Sequence, residues 1–378
     1  MSKIALRIDR LANTPMLWKI LLITGIGWMF DAMDQGMVAG VMAAIGKDWQ
    51  LTTGQLGMLG SSGMLGMALG AALSGMAGDR WGRRTVIMWT MVIYGVASGL
   101  SGFATNFSML LVLRFLTGFG LGGELPAAST YISEFSPTKV RGRNVIFLES
   151  FWAWGWIAAA LVAYLLIPSY GWRVAFWVGA IPALFAAYLR KAVPESPRYL
   201  ESVGKYEEAD ALVKIMEKQA GITHKLEVLA DEGREQVKKV HVSFLDLWSK
   251  KYIRSTIVLW VIWFGINFGY YGFVLWTPSL LMDKGFALVK SFAFTLIMCL
   301  AQLPGYFSAA YLVERVGRKA VLSVYFAGTA AAAWLFGHAA STNEVLLFGC
   351  LLYFFSLGAW GCVYAYTPEV YPTVARAG

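Results

Sequence analysis

Five ionisable side chains lie inside long apolar stretches of the sequence, where a charged group is costly and requires a reason. They are Asp31, Asp34, Arg114, Glu124 and Glu149. Buried carboxyl groups inside such stretches are typical of proton and ion pathways, because a carboxyl group removed from water can bind and release a proton. The sequence shows no nucleophile–base set and no phosphate-binding loop, so an enzyme is not expected.

Asp34 and Arg114 are expected to lie at the same depth of the membrane. A helical rise of about 1.5 Å per residue places Asp34 roughly 25 Å, and Arg114 roughly 28 Å, from the cytoplasmic ends of their segments. An unpaired charge there costs several kcal/mol, so the two should pair. Arg keeps its proton, whereas Asp can gain one. We predict that Asp34 carries the coupled proton and Arg114 is its partner; the alternative is a permanent ion pair that only locks two helices together.

Asp31 and Glu124 are further candidates for proton coupling. Asp31 is three residues from Asp34, so the two carboxyl groups share a helix face. Its alternative is a water-facing acid. Glu124 precedes Pro126, which is expected to break the helix; its alternative is a structural hydrogen bond to a neighbouring helix. The proton is the only coupling ion we predict, with no cofactor and no metal.

The elements that position these residues are apolar segments of membrane-spanning length. Of 378 residues, 57% are hydrophobic and only 15% are charged. A soluble globular protein cannot bury that much apolar surface, so the surrounding solvent is predicted to be lipid. Backbone groups in lipid must be satisfied internally, which predicts an all-α integral membrane protein. We count ten candidate spans, at 18–44, 54–77, 85–104, 107–133, 144–168, 173–191, 256–281, 288–312, 320–340 and 345–368.

The net charge of +9 has an uneven distribution along the chain. Lys and Arg concentrate in alternate loops, which is the positive-inside pattern of membrane proteins and not a nucleic-acid-binding stripe. The N-terminus is therefore predicted to be cytoplasmic, in a bacterial inner membrane. The opposite loops contain only Lys47, Arg173, Lys284 and Lys290. We expect a small-molecule substrate, contact with lipid, no nucleic acid, and a monomer.

A polar loop occurs twice in the chain. Asp79 and Glu314 are 235 residues apart, and so are Gly82 and Gly317. A constant offset of this kind indicates a duplicated half. The residues of the two copies are Gly75, Asp79, Arg80, Gly82, Arg83 and Arg84 in the first, and Glu314, Arg315, Gly317 and Arg318 in the second.

This G-x-x-x-D-R-x-G-R-R loop, with its weaker second copy, resembles the signature of the major facilitator superfamily. The resemblance implies two pseudo-symmetric helical bundles, alternating access, and a gating role for the two loops. We expect an N-terminal six-helix bundle at 1–193, a cytoplasmic linker with an amphipathic helix at 194–253, and a C-terminal bundle at 254–378. The superfamily normally has twelve helices, so helices eleven and twelve are predicted to be missing.

Other motifs resemble the sugar-porter branch, including Pro194-Glu-Ser-Pro-Arg198 and the glycine-rich run that follows Arg114. The resemblance implies an aromatic-rich cavity suited to a flat ring; the alternative for any single aromatic is packing or an interfacial belt. Two departures argue against a sugar: Glu149 replaces a Gln, and Val261-Ile262 replaces a pair of Gln residues. The predicted substrate-binding residues are Glu149, Trp152, Asn267, Tyr271, Trp276, Gln302 and Trp360.

Longer runs are similar to the bacterial niacin transporters, among them Gly27-Trp-Met-Phe-Asp31-Ala-Met-Asp34 and the stretch around Trp360. The resemblance implies proton-coupled import of a small aromatic carboxylate, with nicotinate first. The alternatives are a symporter or facilitator for a sugar or another metabolite, and a truncated, non-transporting fragment or sensor.

Overall fold

The structure, a computed structural model, describes residues 3–222, 248–249 and 252–370. Most of the predicted amphipathic segment at 244–251 lies outside these residues. So do the last residues of the second repeat, 371–378, and the side chain of Glu314.

Helices and short connecting turns make up the described residues, and no β-strand occurs among them. The prediction of an all-α protein is confirmed to that extent. The helices are α1 (Lys3–Asp9), α2 (Pro15–Asp48), α3 (Thr53–Trp81), α4 (Arg83–Ser101), α5 (Phe107–Phe135), α6 (Arg141–Leu165), α7 (Ile167–Tyr170), α8 (Arg173–Val178), α9 (Ile181–Ala192), α10 (Pro197–Ser202), α11 (Tyr206–Gln219), α12 (Ile253–Val274), α13 (Thr277–Asp283), α14 (Leu288–Val316), α15 (Arg318–His338) and α16 (Thr342–Val370).

Nine helical segments of the described chain are long and apolar enough to cross a membrane. They are α2, α3, α5, α6, the combined segment Arg173–Ala192 made of α8 and α9, α12, α14, α15 and α16. The predicted span 85–104 is also helical, as α4, but it is not among the nine. Its first residues, Arg83 and Arg84, and its Thr and Ser residues reduce its apolar character, so the predicted count of ten is not confirmed.

The described residues pack as two compact units. Unit one contains everything up to residue 222 together with 278–293, and unit two contains 252–277 and 294–370. The core of unit one lies among α2, α4, α5, α6 and α9, which supply fully buried side chains such as Leu17, Tyr94 and Tyr131. In unit two, α12, α14, α15 and α16 surround a smaller core that includes Ile266 and Tyr325.

Glycines bring α3 and α5 of unit one into backbone contact. A Cβ atom at Gly66 would lie 2.1 Å from the carbonyl oxygen of Phe115, and one at Gly118 would lie 1.9 Å from that of Gly63. Small residues allow such close approach between membrane helices. This contact matters for the site because α5 also contains Arg114 and Glu124.

Pro126 does not break α5, contrary to the prediction. The helix continues through Pro126 to Phe135. Neighbouring helices can support a proline within a membrane helix, so the missing backbone donor does not end it.

Three short helices, α1, α10 and α11, form a cluster that we call the N-terminal cap. Ile4 and Ile8 of α1 are buried against Leu200, Ala209 and Val213. The cap is also tied by charges. Arg7 binds Glu217 through two hydrogen bonds, from Nε at 2.9 Å and Nη2 at 2.7 Å, and its Nη1 lies 2.5 Å from Asp210.

Candidate functional site

The centre of the site in unit one is an ion pair between α2 and α5. Arg114 Nη2 lies 2.8 Å from Asp34 Oδ2, and the two side chains expose 3% and 0% of their surface. The structure therefore brings together the two residues that were predicted from their depth to pair. Buried pairs of this kind persist only where other hydrogen bonds satisfy the remaining atoms.

Ser98 of α4 satisfies the second oxygen of this carboxylate. Its hydroxyl donates a short hydrogen bond to Asp34 Oδ1. Gly179 allows the close packing, since a Cβ atom there would lie 2.9 Å from the same oxygen. The guanidinium carbon of Arg114 lies 5.5 Å from the centre of the Phe176 ring. Arg114 Nη1 is buried with no hydrogen-bond partner among the described residues. This nitrogen can therefore donate a hydrogen bond to a further acceptor.

A second polar group lies one helical turn away, around Asp31. Its carboxyl group is next to the Glu124 carboxyl of α5 and the Tyr94 hydroxyl of α4. Glu124 also packs closely against α2, because a Cβ atom at Gly27 would lie 2.8 Å from its Oε1. All three side chains are completely buried. Asp31 and Glu124, predicted as separate candidates, therefore belong to one cluster.

Glu149 and Trp152 lie near each other on α6. The Glu149 carboxyl is buried next to the indole of Trp28. The rings of Trp28 and Trp152 are 4.9 Å apart and tilted by 35°. This places a carboxyl group beside two indoles in unit one, apart from the Asp34–Arg114 pair.

Unit two contains an aromatic cluster centred on Trp360 of α16. Its ring centre lies 5.6 Å from that of Trp263, 5.8 Å from Tyr270, 6.4 Å from Tyr271 and 5.8 Å from Tyr364. The indole Nε1 of Trp360 is buried and makes no hydrogen bond in the described part of the chain. A donor with no partner amid aromatic faces is suited to a flat ring that carries an acceptor.

The remaining predicted binding residues of unit two differ in their surroundings. Gln302 of α14 is completely buried, and neither its oxygen nor its nitrogen meets a partner in the described residues. Asn267 donates to the carbonyl oxygen of Trp263 on its own helix, at 2.8 Å. Trp276 lies between α12 and α13, where no aromatic contact joins it to the Trp360 cluster in the described residues.

The first polar loop forms a network at the junction of α3 and α4. Arg83 bonds Asp79 at 2.7 Å, Glu134 at 3.1 Å and the carbonyl oxygen of Gly78 at 2.6 Å. The backbone N–H of Arg84 donates to Glu195 at 3.1 Å. The network joins the loop to α5 and to the segment that begins the predicted linker.

Gly82 is required at the turn of this loop. Its φ is +94°, and a Cβ atom there would lie 2.4 Å from Glu195 Oε2. The equivalent Gly317 has a φ of +92° with nothing within 4 Å of the Cβ position. Arg80 of the first loop and Arg315 of the second are exposed, unlike Gly82. Arg80 lies over the Trp81 ring at 5.9 Å, and Arg315 lies over the Tyr311 ring at 4.4 Å.

The loop positions that remain are Gly75 and Arg318. A Cβ atom at Gly75 would meet nothing within 4 Å, and the Arg318 side chain is exposed at the start of α15. The two loops therefore have the same glycine geometry but different surroundings within their own units.

Two residues of the site were not anticipated from the sequence. Ser98 and Tyr94 are four residues apart on α4, so they lie on one face and reach Asp34 and Asp31 respectively. A hydroxyl group in an apolar segment is unremarkable by itself. Only their spacing of about one helical turn, similar to the three-residue spacing of the two acids on α2, could have indicated them.

Comparison with known proteins identifies the family. Residues 18–378 match the family described as sugar (and other) transporter. The niacin transporter NiaP of Acinetobacter baylyi is 47% identical over 373 residues, which cover 98% of this chain and 84% of that protein. The synaptic vesicle 2-related protein of Xenopus laevis is 32% identical, over 95% of this chain and 68% of that protein.

Solved structures show the same fold at lower sequence identity. The xylose transporter XylE from E. coli superposes with a TM-score of 0.73 at 22% identity, over 94% of this chain and 88% of that one. The helical architecture, the extent of the family match and the 47% identical relative agree with one another. The chain therefore belongs to the sugar (and other) transporter family of the major facilitator superfamily, whose members are multi-pass membrane transporters and not enzymes.

Proposed function

We propose that this chain is a proton-coupled secondary transporter that imports a small aromatic carboxylate, with nicotinate as the leading substrate, by alternating access. The observation that carries the substrate is the 47% identity to a niacin transporter over nearly the whole chain. The observation that supports proton coupling is the buried ion pair of Asp34 and Arg114.

The coupling mechanism begins with the charge on Asp34. While its carboxylate is charged, Arg114 Nη2 and the Ser98 hydroxyl each occupy one of its oxygens. A proton on Asp34 removes the negative charge that holds the guanidinium. Arg114 Nη1 already has no hydrogen-bond partner in the described residues. The guanidinium of Arg114 then binds the carboxylate of the substrate by donating hydrogen bonds to it. Arginine suits this role because its planar donors match a carboxylate. Proton binding and substrate binding therefore favour each other.

The aromatic cluster of unit two, taken by itself, is suited to a flat aromatic ring, and we propose that ring binding is its role. Stacking of aromatic rings contributes about 0.5–1.5 kcal/mol beyond the burial of area. Trp360 Nε1 and the amide of Gln302 are buried donors with no partner in the described chain, and a pyridine nitrogen is an acceptor. The predicted residues Asn267 and Tyr271 lie on α12, about one and two turns after Trp263.

The two polar loops are proposed to act as gates. In unit one, Arg83 and Arg84 join the α3–α4 turn to Glu134 and Glu195. Such a network can open and re-form as a unit, because each partner is only partly buried. Glu149, next to Trp28, is proposed to face substrate where a sugar porter has an amide.

A sugar symporter or facilitator is the second candidate. It is favoured by the description of the matching family, which is sugar (and other) transporter. The likeness to XylE, at 22% identity, supports the fold alone. Glu149 and the Val261-Ile262 pair make this candidate weaker, since charged and apolar groups replace amides that hydroxyl groups prefer.

We further propose that the transporter is a lipid-embedded monomer in the cytoplasmic (inner) membrane, with the N-terminus on the cytoplasmic side. The concentration of Lys and Arg in alternate loops supports this orientation.

The proposal is tested by uptake of labelled nicotinate into cells that produce the full chain, with and without a protonophore. Benzoate and a hexose serve as competitors, and Asp283→Asn, which changes an exposed carboxyl outside the predicted site, serves as a charge-matched control. We expect protonophore-sensitive uptake that unlabelled nicotinate and benzoate inhibit and the hexose does not. Inhibition by the hexose alone would overturn the substrate, and protonophore-insensitive uptake would overturn the coupling.

A further inference from the structure

Asp31 and Glu124, which we call the acid pair, are two buried carboxyl groups on neighbouring helices, and Glu124 Oε1 lies against α2 one turn before Asp31. Both side chains are completely buried, and none of their four oxygens has a hydrogen-bond donor among the described residues. The acid pair is built by three helices. Gly27 of α2 leaves room for Glu124 of α5, and Tyr94 of α4 places its buried hydroxyl beside Asp31.

The acid pair differs from Asp34 in its electrostatic partners. Asp34 is paired with the cation Arg114. That cation therefore does not neutralise Asp31 or Glu124. Asp31 faces a second acid. Two neighbouring carboxylates, in a medium of low dielectric constant and without a cation, cannot both be charged. At least one proton must therefore be present.

The other polar groups near the acid pair do not remove this requirement. On α2 the neighbouring titratable group is Asp34, which is also acidic. On α4 it is Tyr94, whose hydroxyl can donate a hydrogen bond without changing the charge. On α6 it is Glu149, which lies next to Trp28. Each adds negative charge or none.

The two clusters form successive levels along the same three helices. One level contains Asp31 with Tyr94 and Glu124, and the next contains Asp34 with Ser98 and Arg114. Asp31 and Asp34 are about one turn apart on α2, as are Tyr94 and Ser98 on α4. The acid pair and the ion pair are therefore distinct polar groups at adjacent levels of the same helices.

We propose that Asp31 and Glu124 share a single proton, and that this acid pair is a proton-binding site separate from Asp34. One carboxyl holds the proton in an O–H bond and donates a hydrogen bond to the other, which stays charged. Tyr94, whose buried hydroxyl lies beside Asp31 and has no hydrogen-bond partner in the described residues, is a positioning residue that can donate to the charged oxygen once the proton is shared. The inference deepens the proposed proton coupling, and its role in transport rests on that proposal.

Infrared spectroscopy of the purified full chain in lipid vesicles tests the shared proton directly. A protonated carboxyl group has a carbonyl band that is distinct from the bands of a carboxylate, and the band moves in D₂O. In a Glu149→Gln background, which removes the other buried carboxyl of unit one that has no cationic partner, we expect one such band at neutral pH, altered in Asp31→Asn and in Glu124→Gln and lost in the double variant. Tyr94→Phe should shift the band without removing it, and Asp34→Asn should retain it.

Three results would overturn the proposal: no band in the Glu149→Gln protein, a band that survives in the double variant, or two bands that are removed one at a time. The amide substitutions preserve side-chain shape, and the thermal unfolding midpoint of each variant shows whether it has folded. The measurement uses no substrate. Loss of the band with intact nicotinate uptake would reject the shared proton alone, whereas an intact band without nicotinate uptake would reject the proposed substrate alone.

Discussion

Arg114 holds Asp34 through a single direct contact, 2.8 Å from Nη2 to Oδ2, inside a region that excludes water from both side chains. The other carboxylate oxygen is occupied by the Ser98 hydroxyl. Because a second guanidinium nitrogen, Nη1, has no hydrogen-bond partner in the described residues, the hydrogen-bonding capacity of Arg114 is not saturated. It is therefore suited to exchange one anion for another.

Replacement of Asp34 by Asn should separate accumulation from exchange. The amide cannot bind a proton in exchange for the guanidinium, so the variant should lose uphill uptake of nicotinate. It should still exchange labelled for unlabelled substrate, because Arg114 remains. Both are measured in proteoliposomes, with an imposed pH gradient and in counterflow. Asp283→Asn is the matched control and should behave as the wild type. Accumulation against a gradient by Asp34→Asn would show that Asp34 is not the coupling site.

Removal of the Trp360 indole should weaken substrate binding. A loss of about 0.5–1.5 kcal/mol of stacking corresponds to a KM for nicotinate that is about 2- to 12-fold higher in Trp360→Ala. Trp360→Phe keeps a stacking face and should show a smaller rise. Trp334, an exposed indole on α15, provides the control Trp334→Phe. An unchanged KM in Trp360→Ala would remove this residue from the binding site.

The sequence was sufficient to predict the pairing of Asp34 with Arg114, because regular helical rise converts residue number into depth. It was not sufficient for the proximity of Asp31 and Glu124. That proximity depends on how closely α2 and α5 approach and on the space that Gly27 leaves. These are properties of packing between helices that no single segment encodes.

Two other differences have equally local causes. Pro126 was expected to end its helix, but α5 continues because neighbouring helices support it. The span predicted at 85–104 is a helix whose polar residues reduce its apolar character. The first outcome depends on the helices around α5, and the second depends on the composition of the segment itself.

Close backbone contact between α3 and α5 should make Gly66 intolerant of a methyl group. In Gly66→Ala the Cβ atom would lie 2.1 Å from the Phe115 carbonyl oxygen, so the helices must separate. Overpacking of this kind typically costs about 1–3 kcal/mol, which lowers the thermal unfolding midpoint. The matched control is Gly63→Ala on the same helix, where the nearest atom lies 3.7 Å away, at ordinary contact distance. Equal midpoints for the two variants would contradict this account.

The N-terminal cap should loosen in acid. Hydrogen bonds from Lys214 and Arg7 hold the pKa of Asp210 below its ordinary value. Partial burial alone would raise the pKa of Asp9, but hydrogen bonds from Thr138 outweigh it and leave that pKa lowered too. A lowered pKa in the folded state contributes stability above the unfolded value of about 3.9, and that stability is lost as the pH falls through the folded value.

Hydrogen exchange of α1 measures this effect. Protection of residues 3–9 should stay constant from neutral pH to about pH 4 and decrease below it. Arg7→Ala removes the cation that binds Glu217 and Asp210, so it should reduce protection already at neutral pH. Arg10→Ala, one residue beyond the helix, is the control. Protection that rises in acid, or that Arg7→Ala leaves unchanged, would contradict the assigned role of these ion pairs.

The contact between Arg7 and Glu217 also sets an order of events during synthesis. The two residues are separated by 210 positions. At about 5–20 residues per second, a ribosome needs about 10–40 s to travel from one to the other. During that interval Ile4 and Ile8 have no α11 to cover them, and the five candidate membrane spans up to Ala192 are synthesised before the partner exists. The N-terminal cap can therefore form only after the ribosome has synthesised the chain as far as Glu217.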